Sequence, residues 1–126
     1  LELIMKCPKE HVMIMADGRR MWRVFDNLLN NICKYSLSKT RVYLTMENKG
    51  KEVCITFRNT SRDALNIEPE ELLERFTRAD ASRHTEGNGL GLSIAKSLVQ
   101  LQNGTLELAI DGDLFKAVIT FPRVTE

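Results

Sequence analysis

Histidine, cysteine and tryptophan are scarce in this chain, and so is any excess of charge. His11 and His84 are the only histidines, and neither has a partner at ligand spacing, so a metal centre of the usual imidazole or thiolate kind is not expected. Cys7, Cys33 and Cys54 are odd in number, lack Cys-x-x-Cys spacing and sit among apolar, periodic neighbours. They read as reduced core thiols in a cytosolic setting. Lysine plus arginine (18) nearly balances aspartate plus glutamate (17), for a net charge of +1. No basic stripe stands out, which argues against nucleic acid as a partner. Apolar runs are short and broken by charge, so no membrane span or direct membrane contact is expected. The opening LELIMKCPKE has neither an initiator Met nor a signal-peptide pattern and reads as the start of an excised piece.

What is present suits one packed domain. The 126 residues are 43% hydrophobic and 28% charged, enough apolar material for a real core and too little charge bias for disorder. Residues 1–7 and 11–16 read as short strands separated by a turn at Pro8. Asp17 is a plausible N-cap for a helix of about five turns, on which Met21, Phe25, Leu28, Leu29 and Ile32 recur at helical spacing. TRVYLTME and EVCITFRN alternate around NKGK, predicting a hairpin with Gly50 in its turn. EPEELLERF opens with Pro69 and acidic residues, as short helices do. The polar stretch TRADASRHTEGN has almost nothing to bury. Helical periodicity resumes over 90–102 and ends at Asn103-Gly104 as a left-handed cap; TLELAI and LFKAVITF then flank DGD as a second hairpin. The expected fold class is α/β: a two-layer sandwich with a mixed sheet and about three helices on one face.

The long helix carries more than packing. At 100° per residue, Asn27, Asn31 and Lys34 share one face, opposite the apolar one. A solvated polar face is the ordinary explanation. Yet asparagine is a poor helix former, and positions 27, 30 and 31 are all asparagine. An amide oxygen can ligate Mg²⁺, and a lysine one turn on can offer a point charge to a phosphate. Tyr35 stands at the edge of this face, as a boundary residue of the core or a surface for a nucleobase. In TEGNGLGLSIAK, Gly87, Gly89 and Gly91 alternate with other residues just before a helix. The dinucleotide fingerprint fails there, because its third glycine would fall on Leu92, and no Gly-Lys-Ser/Thr follows for a Walker A loop. What remains is a loop whose glycines let backbone approach an anion at a helix N-terminus, with Leu90 and Leu92 anchoring that helix.

NLLNNICKY resembles the N box of the ATP-binding catalytic domain of sensor histidine kinases, ERFTRAD their F box, and GNGLGLSIAKSLVQLQNG their G2 box and following helix. The three motifs stand in the family's order over roughly residues 17–122. The resemblance implies the Bergerat-type fold shared with gyrase-like ATPases, with residues 1–126 as a single catalytic domain. It implies Mg-ATP as ligand and phosphoryl transfer to a histidine on a separate dimerisation domain, with a response regulator downstream. A cytoplasmic position in a membrane-anchored sensor kinase is implied as well. By resemblance, Asn31 is the Mg²⁺ ligand, Asn27 lies near the phosphates, Lys34 contacts one, and Tyr35 packs beside the base. The TRADASRHTEGN loop becomes the ATP lid, from which Arg78 reaches the γ-phosphate. Arg83 is either a second such contact or a solvated lid residue, and His84 is a polar lid residue, not the phosphoacceptor.

Two departures stand out. Where the family carries Asp-x-Gly-x-Gly, with the Asp accepting a hydrogen bond from the adenine amino group, this chain reads FRNTSRDALNI. Asn59 takes the Asp place, with Asp63 as the rival, and both glycines are missing. The family's Gly-x-Gly-Thr before the last strand is replaced by DGDLFK. Gyrase-like ATPases have glutamate at the position of Asn27; an amide cannot take a proton from water, which favours transfer over hydrolysis. The alternatives are a degenerate regulatory module without catalysis and an anti-sigma-type serine kinase on the same fold.

Overall fold

The computed structural model describes residues 2–9, 12–61 and 88–124, the first four residues of its second helix by their backbone alone. Five strands form one mixed sheet in the order β1-β2-β3-β5-β4. These are β1 (Glu2–Lys6), β2 (Arg41–Asn48), β3 (Glu52–Thr60), β4 (Thr105–Asp111) and β5 (Leu114–Pro122). β1 and β2 are parallel, which requires a crossover, and helix α1 (Gly18–Tyr35) supplies it. All other pairings are antiparallel. Gly50 (φ 88°) and Gly112 (φ 60°) turn the two hairpins in the left-handed region that favours glycine.

Strand alternation decides which face is covered. Val42 on β2, Ile55 and Phe57 on β3, Leu106 on β4, and Phe115, Ala117, Ile119 and Phe121 on β5 form one apolar cluster with α1 and the second helix, α2 (Asn88–Leu101). Both helices therefore pack on one face of the sheet, as expected. The third expected helix, at EPEELLERF, lies outside the described residues.

Helix α1 starts where its chemistry says it should. Asp17 Oδ1 accepts from the backbone N–H groups of Arg19 (2.9 Å) and Arg20 (3.1 Å), two donors the first turn cannot satisfy internally. Asp17→Ala is expected to cost about 1 kcal/mol of stability, read as a shift in the urea midpoint at unchanged slope. Met21, Val24, Leu28 and Ile32 form the buried stripe, and Phe25 stacks on Phe57 at 5.8 Å between ring centroids. Leu29 is 36% exposed instead of core-facing, because it sits 100° past Leu28, already on the flank of the stripe.

Two further expectations are corrected. The 11–16 strand reduces to a single bridge, Ile14 to Arg123, with Val124 N–H donating to the Met13 carbonyl at 2.8 Å. That segment meets the sheet only past the end of β5, whose two flanks are taken by β3 and β4. Of the cysteines only Cys54 is buried; Cys7 follows β1 at the surface, and Cys33 turns outward one residue past Ile32. All three are free thiols. At the end of α2 the expected left-handed cap at Asn103-Gly104 is present, with Asn103 (φ 67°) as its left-handed residue. Gly104 N–H donates to the Val99 carbonyl and Asn103 N–H to that of Gln100, the paired bonds of a Schellman motif. Glycine at 104 answers a different need: an added Cβ would lie 2.8 Å from the Phe121 ring and 2.9 Å from Val99 Cγ1.

One side chain orients the two helices. Gln102 Oε1 accepts from Asp17 N–H at 2.6 Å, while its Nε2 donates to the Leu98 carbonyl at 2.9 Å. The C-terminal end of α2 is thereby tied to the N-terminal end of α1, and the packed pair is antiparallel. Counting back the 14 residues of α2 at about 1.5 Å each brings its first residue, Asn88, level with Asn31 on α1.

Candidate functional site

The last turns of α1 hold the first part of the site. Asn31 is 4% exposed, as buried as the core, which removes the solvated-face explanation for it. Asn27 is half-buried one turn earlier, Lys34 is exposed, and Tyr35 is half-buried. The Lys34 ammonium stands 5.6 Å from the centroid of the Tyr35 ring, a cation–π contact, and lies in the last helical turn, where positive charge is favoured.

Backbone hydrogen bonds tie this end of α1 to the end of β3. Ser36 caps the helix, donating its N–H to Ile32 O at 2.9 Å, and forms an antiparallel bridge with Ser61. Leu37 N–H donates to Thr60 O at 2.8 Å, and Ser61 N–H donates to Asp113 O at 2.7 Å in the β4–β5 turn. Asn59 is consequently fixed beside the helix end: it is 4% exposed and its Nδ2 donates to Ser36 Oγ at 2.7 Å. Lys34, Tyr35 and Asn59 are thus held together by the main chain, before any ligand arrives.

Buried polar atoms in folded proteins almost always have hydrogen-bond partners. Among the described residues, four buried side-chain polar atoms have none: Asn27 Nδ2, Asn31 Oδ1, Asn59 Oδ1 and Arg123 Nε. The first three lie on the second half of α1 and on the end of β3 beside it. Two acceptors and a donor, desolvated and unpaired, are costly to the fold and useful to a polar ligand.

Residues 16–124 match the family described as histidine kinase-, DNA gyrase B-, and HSP90-like ATPases. The chain belongs to that family. Among curated proteins it is similar to the sensor histidine kinase HprS of Escherichia coli, 37% identical over 95 residues that make up 73% of this chain and 20% of HprS. It is also similar to the probable sensor protein PcoS of Escherichia coli, 36% identical over 102 residues, 79% of this chain and 22% of PcoS. The chain spans only about a fifth of these relatives. Among solved structures, full-length ShkA in complex with AMPPNP superposes with a TM-score of 0.77 at 22% identity, covering 99% of this chain and 26% of ShkA. The nucleotide-free catalytic domain of histidine kinase ThkA gives 0.75 at 22%, covering 96% of this chain and 78% of that one. At such identity these likenesses speak for the fold, a Bergerat-type sandwich like that of the histidine kinase catalytic domains.

Within this ATPase family member, the structure brings Lys34, Tyr35 and Asn59 to one junction, with Asn31 and Asn27 on the turns just before it. Helix α2 begins at Asn88, two residues before the helical period in the sequence, so Gly89, Leu90 and Gly91 belong to its first turn. Leu92 is fully buried, the anchor it was expected to be. Gly87, Arg78, Arg83, His84 and Asp63 lie outside the described residues. Sequence reasoning missed Ser36 and Ser61, both buried, which build the junction: Ser36 directly follows NLLNNICKY and Ser61 lies inside FRNTSRDALNI, but neither carries an expected role there. No periodic or motif-based cue marks them, because their roles come from pairing across the sheet. None of the described helices is long and apolar enough to cross a membrane.

Proposed function

We propose that this chain binds Mg-ATP and serves as the catalytic domain of a sensor histidine kinase, donating the γ-phosphoryl group to a histidine on a separate dimerisation domain. A response regulator then receives the phosphoryl group, and the domain works on the cytoplasmic side of a membrane-anchored sensor. The observation that carries this reading is the presence of three unpaired buried polar atoms, on Asn27 and Asn31 in the second half of α1 and on Asn59 beside its C-terminal end, in a chain of the ATPase family.

Each residue has a role consistent with its chemistry. The unpaired Asn31 Oδ1 is a hard oxygen donor and fits Mg²⁺, which when bound offsets charge on the phosphate oxygens. Lys34, exposed beside the Tyr35 ring, supplies a positive charge for a phosphate. Asn27 offers an amide N–H to the phosphates but no base, so water is not activated there and transfer to a partner is favoured over hydrolysis. Asn59 Oδ1 accepts from the adenine amino group, and Tyr35 packs beside the base. Gly89 and Gly91, with Gly87 before them, allow close backbone approach to the phosphates at the α2 N-terminus, anchored by Leu90 and Leu92. Arg78 contacts the γ-phosphate.

Isothermal titration with ATP in the presence of Mg²⁺ tests this directly. Saturable binding that weakens when Mg²⁺ is chelated is expected, together with phosphorylation of a supplied dimerisation domain. Absence of any binding heat up to millimolar ATP defeats the proposal.

A further inference from the structure

We infer that the Asn59–Ser36 pair lets the base end of this site accept purines carrying either an amino or an oxo group at C6. The inference rests on the nucleotide reading above and concerns which base that site admits.

Asn59 and Ser36 are both buried, and the single side-chain contact that joins them runs from Asn59 Nδ2 to Ser36 Oγ at 2.7 Å. The opposite pole of the amide, Oδ1, is buried and unpaired. In this arrangement the pole offered to a ligand is an acceptor, suited to a 6-amino group. A serine hydroxyl, however, both donates and accepts, and its hydrogen rotates freely. Turning the Asn59 amide over about its terminal torsion, which is broad and roughly two-fold, places Oδ1 against Ser36. The hydroxyl then donates to it. The contact persists with oxygen in place of nitrogen and the donor reversed, and the pole offered to a ligand becomes Nδ2, a donor suited to a 6-oxo group.

The serine makes this exchange nearly free. Its backbone is fixed by the helix cap and by the bridge to Ser61, so the hydroxyl stays in place whichever way the proton points. Among the described residues, Ser36 Oγ has no other side-chain contact that would hold its proton in one direction. An ionised aspartate at position 59 could only accept. A 6-oxo purine would then bring oxygen against oxygen in a desolvated site. Asparagine at 59 removes that penalty, and the discrimination with it.

ITP tests the effect, because it carries the 6-oxo group without the 2-amino group of guanine. It also bears a hydrogen on N1 where adenine has an acceptor, so the comparison with Asn59→Asp separates the contribution of position 59 from that of N1. Titration calorimetry of the 126-residue chain with ATP and with ITP, both with Mg²⁺, is expected to give dissociation constants within about tenfold of each other. In Asn59→Asp, the ITP-to-ATP ratio of dissociation constants widens by at least about tenfold, the size expected for a buried mispaired polar group. A cooperative thermal melt of the same Asn59→Asp sample verifies its fold, and the wild-type ratio is decisive even where that variant does not fold. ITP weaker than ATP by more than tenfold in the wild type overturns the inference, as does an unchanged ratio in Asn59→Asp. ATP binding with ITP rejected strikes the inference alone; failure of both nucleotides to bind strikes the nucleotide reading and this inference with it.

Discussion

Asn31→Ala is expected to lower phosphoryl transfer by about a hundred- to a thousandfold, the loss typical of removing one pre-placed electrostatic group, while leaving stability within about 1 kcal/mol of the wild type. The two halves of this expectation come from one atom. Asn31 Oδ1 is buried with no hydrogen-bond partner, so the fold gains nothing from it and carries its desolvation cost. Truncation relieves that cost and leaves a small void, two terms of opposite sign and similar size. A residue that served the fold would lose melting temperature and activity together. Thermal denaturation beside a phosphotransfer assay separates the cases, and a drop of several kcal/mol in Asn31→Ala would assign the residue to structure instead.

Gly104→Ala is expected to show the converse: a destabilisation of about 1–3 kcal/mol, roughly 3–10 °C in melting temperature, with nucleotide affinity unchanged in the folded protein. The new methyl group meets the Phe121 ring at 2.8 and 2.9 Å and Val99 Cγ1 at 2.9 Å. Phe121 and Val99 are themselves almost fully buried, so neither has room to yield. The position lies past the C-terminal end of α2, about 20 Å of helix from the Asn31 level, which is why binding is spared. Asn103→Gly is the control. It preserves the left-handed turn at φ 67° and adds no atom, so its stability should scarcely change. Chemical denaturation of the two variants side by side distinguishes a need for space from a need for backbone freedom.

Local chemistry made much of this fold legible. Asp17 announces α1, and the glycines at 50 and 112 sit in turns between alternating runs, so each element could be placed without knowing its neighbours. What failed depended on neighbours. The apolar alternation of residues 11–16 looks like a strand, but a strand exists only where a free sheet edge meets it, and here β5 is flanked on both sides, so Ile14 alone bridges to Arg123 past its end. Cys33 and Leu29 follow buried residues in sequence, yet a 100° step carries each out of the core. At the site, the Asn27, Asn31 and Lys34 face was visible as an excess of amides on one side of a helix. The burial of Asn59 was not, because it depends on Ser36 and Ser61 meeting across an interface that no single segment encodes.

The Gln102 contact with Asp17 has a mechanical meaning as well. A pair of rods fastened at one end is a lever, and this fastening joins the helices at the end away from Asn31. With an arm of about 21 Å, set by the 14 residues of α2 at 1.5 Å each, a rotation of only about 5° around Gln102 displaces Asn88 by roughly 2 Å. Leu92, fully buried four residues from that tip, opposes such a rotation, so the close-packed core and the Gln102 fastening together hold both ends of the helix.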